Sequence, residues 1–362
     1  MMITARSQKT LETTIDPSPL QAPQSSLRPS PPSPPLHLRP LREVEPLPDP
    51  SLARMRYQSP LRYPGAKSGL VKHIQQFIEA NQPAPELFAE PFAGGASATL
   101  RLLGDGTIKR ALIADADPLV AAFWKVAATD PDWLIKRLWD EPVTLQRWDY
   151  WRAYVPADPE DRELAVKCLF LNRTTFSGIL HGRAGPIGGR AQKSDYDIGC
   201  RFNKDGLAQR IRYVGDLYDT GRLVDVWCKD WRDTITDVRK RYPLLGQDQV
   251  VVYVDPPYVA KSGRLYQYGF GTLDHLAVAA YLISRMPYRW ILSYDDHPDI
   301  RQYYQTQQMR PTRPEARRWR IHKRLVTLRY SASDRTGRGP TDELLVTTLR
   351  HVPDHEAFRP AD

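Results

Sequence analysis

Cysteine is scarce in this sequence. Only Cys168, Cys200 and Cys228 occur among the 362 residues, and they lie far apart. An odd number of widely spaced cysteines without a Cys-x-x-Cys pair argues against a disulfide framework and against a structural zinc site. We therefore expect no metal centre, and we expect a protein of the reducing cytoplasm.

Long hydrophobic runs are also missing. No apolar stretch approaches the roughly 20 residues that a transmembrane helix needs. The N-terminal residues carry basic and polar side chains but no apolar core of the kind found in secretory signal peptides. The sequence therefore predicts a protein without a membrane-spanning segment and without a membrane partner.

Proline, by contrast, is abundant and unevenly distributed. The chain has 33 prolines, and many of them lie in the first 55 residues among serines and other polar residues. Such a composition cannot bury enough apolar surface to offset the entropy lost on ordering the backbone. We predict that residues 1–55 form a disordered Pro-rich tail.

Basic residues outnumber acidic ones, 51 Lys and Arg against 42 Asp and Glu, which gives a formal net charge of +9. A positive excess suits a polyanionic partner such as nucleic acid. Over a chain of this length it is also compatible with ordinary solubility.

Strand-like and helix-like segments alternate from about residue 57 onward. Predicted helices cover 71–80, 97–103 and 118–128, and predicted strands cover 86–90, 111–114, 223–228, 250–254, 290–293 and 344–347. The alternation favours an α/β fold with a parallel sheet covered by helices. It is interrupted by a mostly helical stretch. We therefore predict a catalytic domain of residues 56–130 and 223–350, a helical insertion at 131–222 and a C-terminal tail at 351–362.

The segment Asp255-Pro256-Pro257-Tyr258 directly follows the apolar run 250–254, which is typical of a strand buried on both faces. The two prolines end the strand because proline lacks the N–H that a sheet needs. In open α/β sheets, ligands bind outside the carboxyl ends of the strands. The segment is therefore a candidate site, although a strand followed by a plain proline turn would look the same.

Two further features fit a nucleoside-binding fold. The turn at Gly94 and Gly95 lies between a predicted strand and a predicted helix, where glycines let the backbone approach a ligand. Asp115 follows about 20 residues later at the end of the next strand, where an acid accepts hydrogen bonds from ribose hydroxyls. Taken singly, the turn could be an ordinary tight turn, and Asp115 or Asp117 could be a helix N-cap.

Together these segments resemble the Dam-like, or α-class, adenine-specific DNA methyltransferases. The resemblance rests on segments that occur in the family's order: Arg62-Tyr-Pro-Gly-Ala-Lys67, Glu90-Pro-Phe-Ala-Gly-Gly-Ala-Ser97, Ala114-Asp-Ala-Asp117, Phe170-Leu-Asn-Arg-Thr-Thr-Phe-Ser-Gly178, Asp255-Pro-Pro-Tyr258, Ile291-Leu-Ser-Tyr-Asp295 and Asp342-Glu-Leu-Leu-Val346. It implies a Rossmann-like methyltransferase sheet with a helical DNA-recognition insertion, S-adenosylmethionine as cofactor and double-stranded DNA as substrate.

The resemblance also implies roles for individual residues. The cofactor would be held by residues of the N-terminal segment, the glycine turn, the strand ends and the catalytic segment: Tyr63, Lys67, Phe92, Gly94, Gly95, Asp115, Asp230 and Asp255. The match at Asp230 is the loosest, because many proteins place an acid after a strand.

The chemistry of adenine supports the catalytic assignment. The exocyclic amine is a weak nucleophile because its lone pair is delocalised into the ring. An oxygen of Asp255 and the carbonyl of Pro256 could each accept one amine proton, which favours a pyramidal nitrogen. Pro256 and Pro257 would hold these acceptors rigidly, and Tyr258 would stack on an adenine flipped out of the duplex.

DNA contacts are predicted in the insertion. The resemblance assigns the Asn172-Arg173 segment to DNA, and a Gly-rich, basic loop that we expect to be flexible follows it. The loop residues expected to contact phosphates are Arg183, Arg190, Lys193 and Arg201; a simply solvated loop would look the same. The loop differs from the best-known family members, so their recognition sequence does not transfer. A second basic stretch, 310–329, would either flank DNA or form an exposed strand and linker.

Other readings of the same residues stay open. Cytosine N4, RNA and protein glutamine are amine substrates for which related tetrapeptides occur, and a relative could bind DNA without catalysis. The order of the segments favours the adenine enzymes. The expected protein is a monomer in a DNA modification system, for which a cognate restriction endonuclease is a further partner.

Overall fold

A computed structural model provides the structure of the protein. It describes residues 41–47, 58–62, 69–158, 162–258, 270–305, 319–328 and 341–361. Most of the predicted Pro-rich tail lies outside the described residues, as do Tyr63, Lys67 and residues 310–318 and 329 of the second basic stretch.

The described residues contain one eight-stranded sheet. Its strands are β1 (Leu87–Glu90), β2 (Ala111–Asp115), β3 (Leu223–Cys228), β4 (Val250–Val254), β5 (Arg289–Asp295), β6 (His322–Leu328), β7 (Thr341–Thr347) and β8 (Arg359–Pro360). The spatial order is β3-β2-β1-β4-β5-β7-β6-β8. Strands β1 to β5 are parallel, whereas β7 is antiparallel to β5 and β6. The sheet is the Rossmann-like parallel core that the sequence predicts, and the predicted fold class is confirmed.

Ten α-helices lie in the described part of the chain, most of them between the parallel strands. They are α1 (Val71–Glu79), α2 (Ser97–Gly104), α3 (Pro118–Thr129), α4 (Pro131–Asp140), α5 (Leu145–Ala153), α6 (Glu163–Thr174), α7 (Lys204–Asp219), α8 (Trp231–Arg241), α9 (Thr272–Ser284) and α10 (Pro298–Tyr303). A 3-10 turn, Phe176–Gly178, follows α6. None of the described helices is long and apolar enough to cross a membrane.

The sheet is buried on both faces, which explains the continuous apolar run of β4. Every residue of β1 and β4 is buried. Because side chains alternate along a strand, Val251 and Tyr253 point into one hydrophobic core while Val252 and Val254 point into the other. Parallel strands covered by helices on both sides lose the polar alternation of half-exposed strands.

The order of the strands reverses between β1 and β4. The chain moves outward from β1 through β2 to β3 and then returns to β4 on the other side of β1. At such a reversal the connections leave the sheet in opposite directions, and a crevice opens beyond the carboxyl ends of the strands. The fold therefore places its natural ligand crevice after Glu90 and Val254.

Helices α4 to α7 lie in the interval predicted for the insertion. Helix α3 packs against α6 and α7, and Trp151 and Phe170 belong to the same hydrophobic core as Trp124 of α3. Residues 131–153 contain two helices, α4 and α5, because the helix ends before Thr144, whose side chain caps α5 by accepting from Arg147 N. That the interval is a target-recognition unit stays a prediction.

One helix was not predicted from the sequence, and one strand was predicted only as an alternative. Helix α7 starts at Asn203, whose side chain accepts from Gly206 N as an N-cap. Strand β6 occupies the end of the second basic stretch, for which an exposed strand was one of two alternatives. In the segment predicted as a C-terminal tail, Arg359–Pro360 pairs with β6, and Phe358 packs edge-on against Phe77 of α1.

Candidate functional site

Three acidic side chains lie where the chain leaves adjacent parallel strands. Glu90 ends β1, Asp115 ends β2 and Asp255 follows β4, and β1 pairs with both of its neighbours. Because the carboxyl ends of parallel strands meet at one edge of the sheet, the crevice carries an acidic group on each side of its centre.

The glycine turn is held against the end of β2. Ala93 N donates to Ala114 O at 2.9 Å, Gly94 N donates to Asp115 Oδ2 at 2.8 Å, and Trp124 Nε1 donates to Gly94 O at 2.8 Å. Gly94 has a φ of 45°, a left-handed conformation that glycine adopts without steric cost. These bonds fix the shape of the turn at the crevice.

The structure separates the roles of two neighbouring acids. Asp117 is the N-cap of α3, because its Oδ1 accepts from Leu119 N at 2.9 Å. Asp115 is not a helix cap; its Oδ1 accepts from Asp117 N and its Oδ2 from Gly94 N. The alternative of Asp115 as an N-cap is therefore excluded, and its carboxyl group stands at the crevice as predicted from the spacing.

Burial changes the ionisation of these acids. It raises the pKa of Glu90 from 4.5 to about 8, and the nearby charges of Asp255 and Asp115 raise it further, although the hydroxyl of Thr99 donates to Glu90. Burial and the charge of Asp117 raise the pKa of Asp115 from 3.8 to about 7. In the part of the chain that the structure describes, neither acid has a basic partner. A cation or hydrogen-bond donors in the crevice would therefore stabilise the ionised forms of Glu90 and Asp115.

The segment 255–258 is anchored at both ends. Ser293 Oγ, on β5, donates to Asp255 Oδ1 at 2.8 Å, and Ser293 in turn shares a 2.9 Å hydrogen bond with the hydroxyl of Tyr253. At the other end, the hydroxyl of Tyr258 donates to both carboxylate oxygens of Glu343 on β7, each at 3.1 Å. Asp255 is partly exposed, whereas Tyr258 is largely buried.

An aromatic cluster borders the crevice near the start of α8. Phe92 stacks on Trp231 with ring centroids 6.4 Å apart, and it meets the edge of Phe270 at 6.0 Å. The carboxylate of Asp230 is exposed and caps α8 by accepting from Arg232 N at 2.8 Å. The predicted position of Phe92 at the crevice fits this cluster, while the only described partner of the Asp230 side chain is a helix N–H.

The assignment of Asn172 and Arg173 to DNA contact is not supported, because both side chains are buried and bonded to backbone. Asn172 Oδ1 accepts from Arg62 N at 2.6 Å, and its Nδ2 donates to Arg62 O at 2.8 Å and Gly178 O at 3.1 Å. Arg173 donates to the carbonyl oxygens of Pro60 and Ser59. Burial lowers the pKa of Arg173 to about 9, with a further contribution from Arg210.

These two residues hold residues 59–62, which we call the N-terminal strap. The strap leads directly into Tyr63 and Lys67, the residues that the resemblance assigns to the cofactor. Gly178 completes the junction: it has a φ of +74°, and a Cβ there would lie 2.2 Å from Arg62 O. The Asn-Arg segment therefore positions the chain that precedes the predicted cofactor residues.

The predicted DNA-contacting loop is basic and exposed, as expected. The exposed side chains are Arg183, Arg190, Lys193 and Arg201. Arg190 pairs with exposed Asp149 at 2.7 Å. The glycines predict a flexible loop, but the loop is bonded at its base, where Phe176 N donates to Gly185 O and Ile187 N donates to Thr174 O.

Two side chains near this loop were not identified from the sequence. Phe176 is 67% exposed, beside the bonds that fix the loop. His181 Nε2 lies 2.6 Å from Asp117 Oδ2, so the loop touches the acid that caps α3 next to Asp115. The signal for Phe176 was an aromatic residue among small and polar ones, directly after a helix.

Other parts of the described structure do not contribute to this site. A small cavity of about 40 Å³ lies where β3 begins, and it is lined by Leu41, Arg42, Tyr218, Gly221, Leu223, Val224, Arg241 and Tyr242. None of these was predicted as a site residue. Among the described residues, no group of three or more His, Cys, Asp or Glu side chains is placed to hold a metal ion.

Comparison with known proteins bears on the same residues. A family model described as D12 class N6 adenine-specific DNA methyltransferase matches residues 63–184. The match confirms the resemblance to the adenine-specific DNA methyltransferases. It covers about a third of the chain and includes the glycine turn, Asp115 and the Asn-Arg segment, but it ends before Asp255.

The other comparisons add little. No curated protein matches the chain. Among solved structures, the rRNA methyltransferase AviRa from Streptomyces viridochromogenes is 16% identical and has a TM-score of 0.34; the alignment covers 85% of this chain and 96% of that one. A TM-score this low does not establish a common fold, so the fold rests on the order and direction of the strands.

Proposed function

We propose that this protein transfers a methyl group from S-adenosylmethionine to N6 of a flipped-out adenine in duplex DNA. The observation that supports the proposal most directly is the placement of the 255–258 segment. It follows the strand beside the order reversal, it is anchored by two neighbouring strands, and it lies across the crevice from the glycine turn and Asp115.

The residues present fit the proposed cofactor. Glu90 is buried and Asp115 is partly buried, both have raised pKa values and neither has a described basic partner, so a positive charge would stabilise their ionised forms. When bound, S-adenosylmethionine supplies a methyl group on a cationic sulfur. Asp115 would accept from the ribose hydroxyls, and Phe92, Gly94 and Gly95 would border the cofactor. We retain Tyr63, Lys67 and Asp230 as proposed cofactor residues.

Asp255 would act on the adenine amine. The bond from Ser293 orients its carboxyl group, and proline stiffens the backbone that carries the neighbouring carbonyl of Pro256. Acceptors held in this way favour the pyramidal nitrogen of the transition state without reorganising during the reaction. Tyr258 would provide a flat surface for the extruded base.

The DNA would lie along the exposed basic loop. Arg183, Lys193 and Arg201 have no described acidic partner, so they can neutralise backbone phosphates without breaking an ion pair. Phe176 presents an exposed ring beside the loop, where it can pack against a base or a sugar. We propose action in the cytoplasm and as a monomer, in a DNA modification system. A partner endonuclease, where the host has one, would cut the same sequence.

Single-molecule sequencing of DNA from cells that express the protein tests the proposal, with Asp255→Ala as the control. Methyladenine at one short sequence, absent from the control, is the expected result. Methylated cytosine N4, RNA or protein in place of methyladenine would redirect the substrate while keeping the chemistry. No modification together with intact DNA binding would indicate a relative that has lost catalysis.

A further inference from the structure

Glu343 is a buried acid that the proposed chemistry does not use. It is 1% exposed, and both of its carboxylate oxygens accept from the hydroxyl of Tyr258, which is 8% exposed. The two residues are 85 positions apart in the chain. A hydrogen bond to a carboxylate in a dry environment is roughly twice as strong as one between neutral groups.

The pairing of strands explains why Glu343 reaches this position. Ser293 of β5 lies opposite Leu345 of β7 in the antiparallel pair. Glu343 is two residues from Leu345, so it projects from the same face of the sheet as Ser293. Two adjacent strands thus offer polar side chains on the same face, Ser293 of β5 to Asp255 and Glu343 of β7 to Tyr258.

The position is costly for the sheet. Glu343 lies directly opposite Asp295 in the register, and like charges facing each other across strands are destabilising. Burying a carboxylate adds a desolvation penalty, which only good hydrogen bonds offset. A residue kept for packing alone would be better served by an apolar side chain. The contact with Tyr258 gives Glu343 a role that an apolar residue could not perform.

We propose that Glu343 is a positioning residue that fixes the ring of Tyr258 as the surface for the target base. The inference rests on the proposed function, because it assumes that Tyr258 contacts a flipped adenine. The hydroxyl lies at the far end of the ring, so a hydrogen bond to it restricts the rotation that swings the ring about the Cα–Cβ bond. Because the ring is already held when the base arrives, the Tyr258 side chain loses less conformational entropy on the way to the transition state.

A double-mutant cycle tests the inference on the full-length protein, with the variants Tyr258→Phe, Glu343→Leu and both together. We expect each single substitution to lower kcat by about tenfold or more while KM for S-adenosylmethionine stays within about twofold. The double variant should be no slower than the slower single one, because the two residues act through one hydrogen-bonded pair. Glu343→Gln keeps an acceptor oxygen and should recover much of the missing rate.

A second readout reports on the base itself. DNA carrying 2-aminopurine at the target position becomes fluorescent when the base leaves the stack, and the signal depends on the ring against which it rests. We expect Tyr258→Phe and Glu343→Leu to change this signal at unchanged DNA affinity. Asp342→Asn is the matched control: it removes the neighbouring charge on β7, where the partners Thr327 and Arg359 are exposed, and it should change neither readout.

The outcomes separate the inference from the proposed function. Multiplicative effects of the two substitutions, or wild-type kcat and fluorescence in Glu343→Leu, would overturn the role of Glu343 while adenine methylation by the wild-type protein stands. A wild-type protein that methylates no adenine would overturn both. If Glu343→Leu does not fold, Tyr258→Phe and Glu343→Gln decide: an unchanged kcat and fluorescence signal in both would refute the positioning role of this pair.

Discussion

Replacing Asn172 with alanine removes the hydrogen bonds that hold the N-terminal strap to the end of α6. The side chain makes three of them, with Arg62 N at 2.6 Å, Arg62 O at 2.8 Å and Gly178 O at 3.1 Å. Each bond contributes about 1 kcal/mol, and removing the buried amide leaves its partners unsatisfied. We therefore expect Asn172→Ala to lower the free energy of unfolding by about 3 kcal/mol.

The same substitution should weaken cofactor binding. The strap runs into residues 63–67, so its hydrogen bonds hold the chain just before the predicted cofactor residues. In the variant, cofactor binding must order the loosened strap again, which costs up to about 3 kcal/mol of the binding free energy. A tenfold change in affinity corresponds to about 1.4 kcal/mol. We expect S-adenosylmethionine to bind about 10- to 100-fold more weakly, as measured by titration calorimetry.

Asn81→Ala provides the matched control. The side chain of Asn81 also makes three hydrogen bonds, with Phe77 O at 2.8 Å, His351 O at 2.7 Å and His351 N at 2.9 Å. These bonds join the end of α1 to the C-terminal region and do not touch the strap. Asn81→Ala should lower stability without changing cofactor affinity. Equal cofactor affinities for both variants and the wild type would refute the positioning role of Asn172.

Three further predictions follow from the site. Ser293→Ala should lower kcat about fivefold to tenfold with KM for the cofactor unchanged, because Asp255 loses one orienting bond of about 1 kcal/mol; an unchanged kcat would contradict this role. Because the pKa of Glu90 is raised to about 8 in the folded state, the native protein binds an extra proton between about pH 4.5 and 8. Its stability should therefore fall as the pH rises through that range. Denaturant midpoints measured against pH should show a weaker decline for Glu90→Gln, and parallel curves would refute the assignment. Replacing Arg183 and Lys193 with alanine should make DNA binding less dependent on salt, while cofactor affinity stays unchanged. The slope of log affinity against log salt concentration should fall in magnitude by about 1 for each phosphate that is no longer neutralised. An unchanged slope would mean that DNA does not contact these two residues.

Local patterns predicted the parallel core because its strands are buried on both faces and end in characteristic residues. The predicted bounds of β3 and β4 coincide with those in the structure. Asp115 and Asp255 could be proposed as site residues because the apolar runs before them predict where parallel strands end. Helix α7 was missed although Leu207, Ile211 and Val214 have helical spacing after the Asn203 cap, because the glycines and arginines before it suggested a continued loop.

The partners of the site residues could not be predicted, because they come from distant parts of the chain. Asn172 meets Arg62 across 110 positions, and Tyr258 meets Glu343 across 85. A polar pair at the end of a helix looks like a surface feature in the sequence. In the structure it satisfies carbonyl and N–H groups of a strap that belongs to no helix or strand, and such groups need partners when buried.

The structure joins the predicted DNA-contacting loop to the cofactor side of the crevice at two places. Asn172 and Gly178 hold the strap ahead of Tyr63, and His181 contacts Asp117 two residues beyond Asp115. Both contacts come from the segment that connects α6 to the basic loop. A displacement of this segment by DNA would therefore act directly on residues that we propose to border the cofactor. In the proposed complex, the strap and the acidic strand end would be the physical link between the two substrates, and the Asn-Arg segment would hold that link in place.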